Sequence, residues 1–230
     1  MGNVLSVPVT KVFEDGTKEN IGRKILKEYT VHLVCNGASI LDIDCTNLNL
    51  KELVVGRLFA DKKIQSYSDV VSVDINEIND NESAVNVLIK TSNAKDNTSN
   101  RVPNINHESV ISIINKFSDG SEIHNETKST HSCYLAVGTK TVFETEDISR
   151  HNAVDKAVGY MLINNLNSAD CILYSSGRVP LDMIEKVGDA NIPILVAKAL
   201  PTDKAIQYAK DNNIVLIARA RNGEYEIFNQ

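Results

Sequence analysis

The clearest pattern in the chain is an alternation of apolar and polar positions over residues 27–45, KEYTVHLVCNGASILDIDC. Apolar side chains recur at alternate positions before Asn36-Gly37 and return after it. An Asn-Gly pair accepts positive φ angles at both central positions of a tight turn. The stretch therefore predicts a β-hairpin.

A helical pattern follows over residues 49–63, NLKELVVGRLFADKK. We expect Thr46 or Asn47 to cap this helix, since both side chains can accept a bond from a free backbone N–H. Residues 67–78 and 83–90 are separated by NDNE and predict a second pair of strands. The helical face is formed by Leu50, Leu53, Val54, Arg57 and Leu58.

Residues 91–106, TSNAKDNTSNRVPNIN, are polar and rich in Asn, Ser and Thr. This composition is typical of a loop or linker. We therefore expect a β-rich N-terminal subdomain with one helix over residues 1–100, and an α/β domain over residues 101–230.

The second half alternates helical and strand patterns, after a predicted helix at residues 107–117. The runs CILY and IPILVA are almost continuously apolar, which favours strands buried on both faces of a mainly parallel sheet. Pro180 and Pro201 are expected at the first positions of two helices. The predicted strands are 170–176, 192–198, 214–220 and 224–228, and the predicted helices are 180–190 and 201–213.

Composition and net charge argue against several classes of function. The chain has 230 residues, 42% of them hydrophobic, so it can bury a core. A formal net charge of −6 without a Lys/Arg-rich run argues against nucleic-acid binding. No apolar stretch has the length of a membrane span, and no signal-peptide pattern opens the sequence. The four scattered cysteines favour a reducing cytoplasm over a disulfide framework.

Ligands of open α/β sheets bind beyond the carboxyl ends of the strands. Three segments are expected there: Ser175–Arg178, Lys198–Thr202 and Arg219–Gly223. Gly177 allows a close backbone approach, and the helix near Pro180 offers free N–H groups. Four of the seven arginines lie here or in residues 146–159, which indicates an anionic ligand with phosphates. The alternative is that these arginines only form surface salt bridges.

Residues 146–159, EDISRHNAVDKAVG, predict a helix whose apolar stripe includes His151 and Asp155. Two polar groups on a buried face need a ligand or a partner, and a hydrogen bond between the two is the simpler explanation. Asn152 and Lys156 are expected at the flank of the stripe. Asp147 or Ser149 can cap the helix.

The same run resembles the signature Glu-Asp-hydrophobic-Gly-Arg-His-Asn-Ala-hydrophobic-Asp-Lys of the FdhD family of formate dehydrogenase accessory proteins. The resemblance continues through SSGRVPLDMIEKV, residues 192–221, EYTVHLVCNG and LKELVVGRLF. It implies a cytoplasmic homodimer with a cytidine-deaminase-like mixed sheet, flanking helices and a β-rich N-terminal part. It also implies that sulfur from a cysteine desulfurase passes to the molybdenum or tungsten guanine-dinucleotide cofactor before insertion into formate dehydrogenase.

The candidate cofactor-binding residues combine the resemblance with the strand-end argument. RARNG corresponds to the family's C-terminal cofactor-binding segment, and no metal ligands are expected in the protein itself. The candidates are His131, Arg150, His151, Asn152, Asp155, Lys156, Ser176, Gly177, Arg178, Arg219, Ala220, Arg221, Asn222 and Gly223.

The chain departs from the family where sulfur chemistry is concerned. The Cys-Gly-x-Cys-Gly loop that bears the persulfide is replaced by residues 91–104, which hold no cysteine. TKSTHSC stands in place of Thr-Gly-Gly-x-His, Ser149 replaces the signature glycine, and the usual aromatic is altered in RARNG. A persulfide requires a thiolate, so Cys133, two residues after His131, is the remaining candidate nucleophile. Its alternative role is that of a small buried filler.

Three functions therefore compete. The first is a sulfurtransferase that uses an unusual thiol, and the second is a cofactor-binding chaperone or regulator that has lost sulfur transfer. The third, a zinc-dependent deaminase, requires His-x-Glu and Pro-Cys-x-x-Cys elements that this sequence lacks. We therefore expect an FdhD-like accessory protein whose cofactor binding is more secure than its sulfur transfer.

Overall fold

The computed structural model describes residues 2–90 and 106–229 of the chain. The predicted linker and the domain boundary at residues 100/101 lie almost entirely outside the described residues, so the division into two domains stays a prediction.

The strands are β1 Val4–Val12, β2 Lys18–Leu26, β3 Tyr29–Cys35, β4 Ala38–Cys45, β5 Val70–Asn79, β6 Glu82–Ile89, β7 His131–Val137, β8 Lys140–Asp147, β9 Cys171–Ser175, β10 Ile194–Ala197, β11 Val215–Arg221 and β12 Glu224–Ile227. The α-helices are α1 Leu50–Ala60, α2 His107–Ser118, α3 Glu122–Thr127, α4 Arg150–Ile163, α5 Leu181–Asp189 and α6 Asp203–Asp211.

The first half forms a four-stranded sheet in the order β4-β3-β6-β5, with β1 and β2 as a separate two-stranded hairpin. The predicted hairpin is confirmed, since Asn36 and Gly37 have φ angles of 50° and 81° and join β3 to β4. The second strand pair is also confirmed, and its strand β6 runs parallel to β3. Helix α1 covers this sheet and closes the N-terminal core.

The second half forms a six-stranded sheet in the order β12-β11-β10-β9-β7-β8. Only β9, β10 and β11 run parallel, and the other three pairings are antiparallel. The α/β class with a mixed sheet and flanking helices is confirmed, but the prediction of a mainly parallel sheet is wrong. Helix α2 packs on one face of the sheet, and helices α4, α5 and α6 pack on the other.

Helix boundaries differ from the sequence prediction at several caps. Pro180 is the N-cap of α5, and Pro201 precedes Thr202, the N-cap of α6, so neither proline occupies the first helical position. The predicted caps of α1 are also wrong, because Asn49 in a left-handed conformation precedes the helix. The Thr46 hydroxyl instead donates to the carbonyl oxygen of Glu146 at 2.7 Å, so it is engaged by the other half of the chain.

Helices α1 and α4 join the two halves by backbone contact. A Cβ atom added to Gly56 would lie 1.8 Å from the carbonyl oxygen of Asp155, and one added to Gly159 would lie 1.9 Å from that of Glu52. Phe59 and Leu162 then contact both adjoining cores. Among the helices of the described ranges, none combines the length and the apolar character that crossing a membrane requires.

Candidate functional site

The strand-end segments Ser175–Arg178 and Lys198–Thr202 meet at one edge of the six-stranded sheet. The backbone N–H of Lys198 donates to the carbonyl oxygen of Ser175 at 3.0 Å, and that of Thr202 donates to Val179 at 3.0 Å. The Tyr174 hydroxyl donates to the carbonyl oxygen of Ala220 at 2.7 Å, which ties the β11 end to β9. The three predicted segments therefore share an edge, as the topology of three parallel strands requires.

Arg150, the first residue of α4, packs against this edge. A Cβ atom added to Gly177 would lie 3.0 Å from both Cβ and Cδ of Arg150, so the glycine leaves the space that the arginine side chain occupies. The Arg150 Nε is buried, and it is the one buried side-chain nitrogen or oxygen within residues 2–90 and 106–229 that has no hydrogen-bond partner. An orphaned guanidinium donor at this edge of the sheet is a group that an anion can satisfy.

His131 stands beside Arg150 at the beginning of β7. Its Nδ1 lies 3.3 Å from the Ser176 hydroxyl oxygen, which also accepts a bond from the Ser132 N–H at 3.0 Å. Burial lowers the pKa of His131, and the positive charges of Arg150, His124 and Arg178 lower it further. This edge of an acidic protein is therefore locally electropositive.

The start of α4 adds backbone donors to the same region. Ser149 is the N-cap, and its hydroxyl accepts a bond from the His151 N–H at 3.3 Å. Asp147 shapes the preceding turn, because its Oδ1 accepts from the Ser149 N–H at 3.1 Å. Ser149, in the place of the signature glycine, thus serves as a helix cap, and both predicted capping residues take part in the turn.

Three signature residues of α4 have internal partners. Lys156 Nζ lies 2.6 Å from Asp147 Oδ2, and both side chains are fully buried. The Asn152 amide donates to the carbonyl oxygen of Asp44 at 2.8 Å and to Asp147 at 2.9 Å. The prediction that Asn152 and Lys156 lie at the flank of the apolar stripe is wrong, since both are buried.

Asp155 is the third of these residues, and it does not bond to His151. Lys186 Nζ on α5 donates to both Asp155 carboxylate oxygens, at 2.6 and 2.7 Å. Burial raises the pKa of Asp155, and Lys186 partly offsets that effect. The predicted hydrogen bond between His151 and Asp155 is wrong, because each side chain reaches α5 separately.

His151 opens into a different space from that of His131. Its Nε2 lies 3.5 Å from Asp182, and burial lowers its pKa, which Asp182 partly offsets. Together with charged residues of α1 and α5 it lines a cavity of about 250 Å³. The lining residues are Arg57, Ala60, Asp61, His151, Asp182, Glu185, Lys186 and Asp189.

The C-terminal segment is exposed at the same edge. Arg219 has a φ of 50° at an irregularity in β11, and its Nε lies 3.5 Å from Glu226 on β12. Ala220 is buried, whereas Arg221 at the end of β11 and Asn222 and Gly223 in the turn to β12 are exposed. The convergence of Arg219 and Arg221 with Arg178 on one ligand stays a prediction.

All four cysteines of the sequence are buried and unpaired. Cys133 is 0% exposed in the middle of β7, and burial raises the pKa of its thiol. Burial also raises the pKa of Cys45 to about 12 and that of Cys171 to about 11. These thiols are therefore protonated at neutral pH and enclosed, which is the opposite of a reactive nucleophile.

Sequence reasoning missed His124 and Glu146. The Glu146 carboxylate accepts from the N–H groups of Ile123 and His124, both at 2.8 Å, and from the Thr130 hydroxyl at 2.8 Å. It thereby holds α3, and with it His124, near His131. Glu146 is the first residue of the signature run at residues 146–159. The sequence of α3, EIHNET, is only six residues long and contains no motif that indicates a site. No group of three or more His, Cys, Asp or Glu side chains in the described ranges is arranged to hold a metal ion.

Comparison with known proteins adds a family and a fold. The FdhD/NarQ family matches residues 88–230. Protein FdhD of Methanocaldococcus jannaschii is 48% identical over 91 residues, which are 40% of each chain. The sulfur carrier protein FdhD of Bacillus subtilis is 24% identical and aligns with 94% of this chain and 92% of its own length.

A solved structure matches over the whole chain. A candidate formate dehydrogenase accessory protein from Desulfotalea psychrophila aligns with a TM-score of 0.86 and 19% identity. The alignment covers 100% of this chain and 98% of the other. At this identity the likeness establishes the fold.

Proposed function

Because this chain belongs to the FdhD/NarQ family, we propose that it is an accessory protein of formate dehydrogenase maturation that binds the molybdenum or tungsten guanine-dinucleotide cofactor. Formate dehydrogenase is then its partner. A homodimer and a cytoplasmic location belong to the same proposal. The cofactor is cargo here, and the residues of the chain bind and orient it.

The buried, unpartnered Nε of Arg150 is the observation that carries this proposal. A nucleotide diphosphate supplies oxygen acceptors for guanidinium donors, and such charge-assisted bonds are among the stronger ones in proteins. Gly177 leaves room for the Arg150 side chain, and Arg178 is exposed beside it. These residues fit the phosphate part of the cofactor.

Five of the remaining candidates divide into two groups by their surroundings. His131 and Ser176 share the electropositive edge with Arg150 and are proposed to orient the ligand through their hydroxyl and imidazole groups. Asn152, Asp155 and Lys156 are engaged internally, so we propose that they support the site from behind.

We further propose that the chain does not itself carry sulfur. Relatives in Bacillus subtilis and Staphylococcus aureus are named sulfur carrier proteins, and this favours sulfur transfer from a cysteine desulfurase as the second candidate function. A persulfide carrier requires an accessible thiol of low pKa. All four thiols here are buried, and this favours a cofactor-binding chaperone or regulator.

Calorimetry with GDP tests cofactor binding. We expect the parent protein to bind, and Arg150→Ala to bind roughly 10–100-fold more weakly because a charge-assisted contact is lost. Arg23→Ala is the matched control, since Arg23 is an exposed arginine of β2. Absence of binding at millimolar GDP, or equal binding by both variants, contradicts the proposal.

Sulfur loading is tested separately. After incubation with a cysteine desulfurase and cysteine, mass spectrometry should find no peptide that has gained a sulfur atom. A stoichiometric gain on one cysteine-containing peptide establishes the second candidate function instead.

A further inference from the structure

The carboxylate of Asp147 is the centre of a buried polar network. Its Oδ2 lies 2.6 Å from Lys156 Nζ and accepts from the Thr46 N–H at 3.2 Å. Its Oδ1 accepts from the Asn152 amide at 2.9 Å and from the Ser149 N–H at 3.1 Å. The side chain is 0% exposed, so these donors replace all of its hydration.

Two of these connections come from the other half of the chain. Thr46 follows β4, about 100 positions before Asp147, and its hydroxyl accepts from Lys156 Nζ at 2.8 Å and donates to Asp147 Oδ2 at 3.4 Å. The carbonyl oxygen of Asp44 accepts from the Asn152 amide at 2.8 Å. Buried polar contacts therefore connect the end of β4 to the beginning of α4.

The network also fixes the residue proposed to bind the ligand. Asp147 bonds to the N–H of Ser149, which caps α4, and Arg150 is the next residue. The Arg150 side chain then lies against Gly177 with no spare room. Arg150 directly follows residues 147–149 in the chain. A shift of that turn would therefore move the Arg150 guanidinium relative to the ligand.

We propose that Asp147 is a positioning residue through which Thr46 of the N-terminal half holds Arg150 in its ligand-binding place. This inference rests on the proposed anion site at Arg150. It explains why Asp147, Asn152 and Lys156 are buried, and it makes the affinity of the C-terminal site depend on the Thr46 hydroxyl, which lies outside that site. Buried polar contacts are suited to this role, because they fix one arrangement where apolar packing tolerates several.

The test uses Thr46→Val, a change of nearly equal volume that removes the hydroxyl contacts with Asp147, Lys156 and Glu146 and leaves the backbone bond to Asp147 and the Asp147–Lys156 ion pair. We expect GDP affinity per folded molecule to fall about threefold to tenfold, as for the loss of one supporting hydrogen bond. Ser83→Ala is the control, because it removes another buried hydroxyl of the N-terminal sheet, one that pairs with Tyr29 and not with the network. This control should change affinity less than about twofold.

A double-mutant cycle separates positioning from a general loss of stability. If Thr46 acts through Arg150, then Thr46→Val in an Arg150→Ala background should not weaken GDP binding further. Additive losses in the double variant overturn the proposal.

A readout without ligand keeps this inference distinct from the proposed function. Burial lowers the pKa of His131 most, the charges of Arg150, His124 and Arg178 lower it further, and the charge of Asp147 raises it. A displaced turn moves both Arg150 and Asp147, so NMR titration should find the pKa of His131 shifted in Thr46→Val and unchanged in Ser83→Ala. If GDP does not bind the parent protein, the proposed function is wrong. In that case this titration alone tests whether Thr46 positions Arg150. An unchanged pKa of His131 in folded Thr46→Val overturns it.

Discussion

Gly56 of α1 and Gly159 of α4 bring two helices from opposite halves of the chain into backbone contact. Each glycine faces a carbonyl oxygen of the other helix, that of Asp155 or that of Glu52, at a distance that leaves no room for a methyl group. Glycine is normally unfavourable within helices, by roughly 1 kcal/mol relative to alanine. Its presence at both positions is therefore explained by the close crossing.

Gly56→Ala should destabilise the protein although it improves helix propensity. The added Cβ would overlap the Asp155 carbonyl oxygen at 1.8 Å, so the helices must separate and open the cores beside them. We expect a loss of about 2–4 kcal/mol in the free energy of unfolding, measured by urea denaturation. Gly22→Ala is the control, because its Cβ would meet only the Ser6 hydroxyl at 3.3 Å. Equal stability of both variants contradicts the crossing.

Lys186→Met should destabilise the protein in a pH-dependent manner. Removing the lysine leaves the Asp155 carboxylate buried without its partner, which typically costs about 3–5 kcal/mol when the acid is ionised. Burial already holds the folded pKa of Asp155 above its ordinary value of 3.8, and the variant should raise it further. The folded state then binds the proton more tightly than the unfolded state, so stability falls as pH rises from 3.8 through the folded pKa.

The measurement is the difference in unfolding free energy between parent and Lys186→Met in mildly acidic and in neutral buffer. The difference should shrink in acid, because a protonated Asp155 no longer needs a cation. Asp155→Asn/Lys186→Met should recover much of the lost stability at neutral pH. A pH-independent difference would show that Lys186 contributes by packing alone.

Gly177→Ala should weaken GDP binding with little effect on folding. The added Cβ would lie 3.0 Å from two Arg150 carbons, so the arginine side chain must move. We expect an affinity loss of about threefold to tenfold in calorimetry, with a melting temperature close to that of the parent. The control is again Gly22→Ala, which lies on the exposed hairpin. Unaltered GDP affinity in Gly177→Ala would show that the Arg150 side chain does not contribute to ligand binding.

The elements that sequence predicts well are those whose pattern is local. Asn36-Gly37 determines its own turn, and the helices α2, α5 and α6 show apolar positions at helical spacing. The order and direction of the strands depend on pairings between distant segments, so the mixed sheet was not predictable from apolar runs. Strands β1 and β2 were missed because most of their side chains are exposed and give little alternation.

The site shows the same division between local and distant information. A helical wheel placed Lys156 at a flank, but α4 is enclosed by the sheet, by α1 and by α5, so its polar residues are buried too. The partners that make this possible, Thr46 and Lys186, lie 110 residues before Lys156 and 31 after Asp155. The local pattern of residues 146–159 therefore contains neither partner.

Thiol accessibility should distinguish the native from the unfolded protein. All four cysteines are buried, so we expect native protein to react slowly with a thiol reagent and to release the full signal only in denaturant. Cys133→Ser should lower stability by about 1–3 kcal/mol, because a hydroxyl replaces the thiol at a fully buried position. Its GDP affinity per folded molecule should match that of the parent. Fast labelling of Cys133 in the native state would restore it as a candidate nucleophile.

The unmodified chain should not complement a strain that lacks its sulfur-transferring FdhD protein. Residues 91–105 lie outside the described part of the chain, but their sequence contains no cysteine, and the four cysteines elsewhere are buried. Since a persulfide forms only on a thiol, neither serine nor asparagine in that segment can carry sulfur. Formate dehydrogenase activity in the complemented strain is the readout, with expression of the chain verified by immunoblot. A variant with Cys-Gly-x-Cys-Gly within residues 93–100 should regain transfer if cofactor binding is intact, and the same segment with serines for cysteines should not. Robust activity from the unmodified chain would show that sulfur reaches the cofactor through a thiol that becomes exposed, and Cys133→Ser would then be the variant that identifies it.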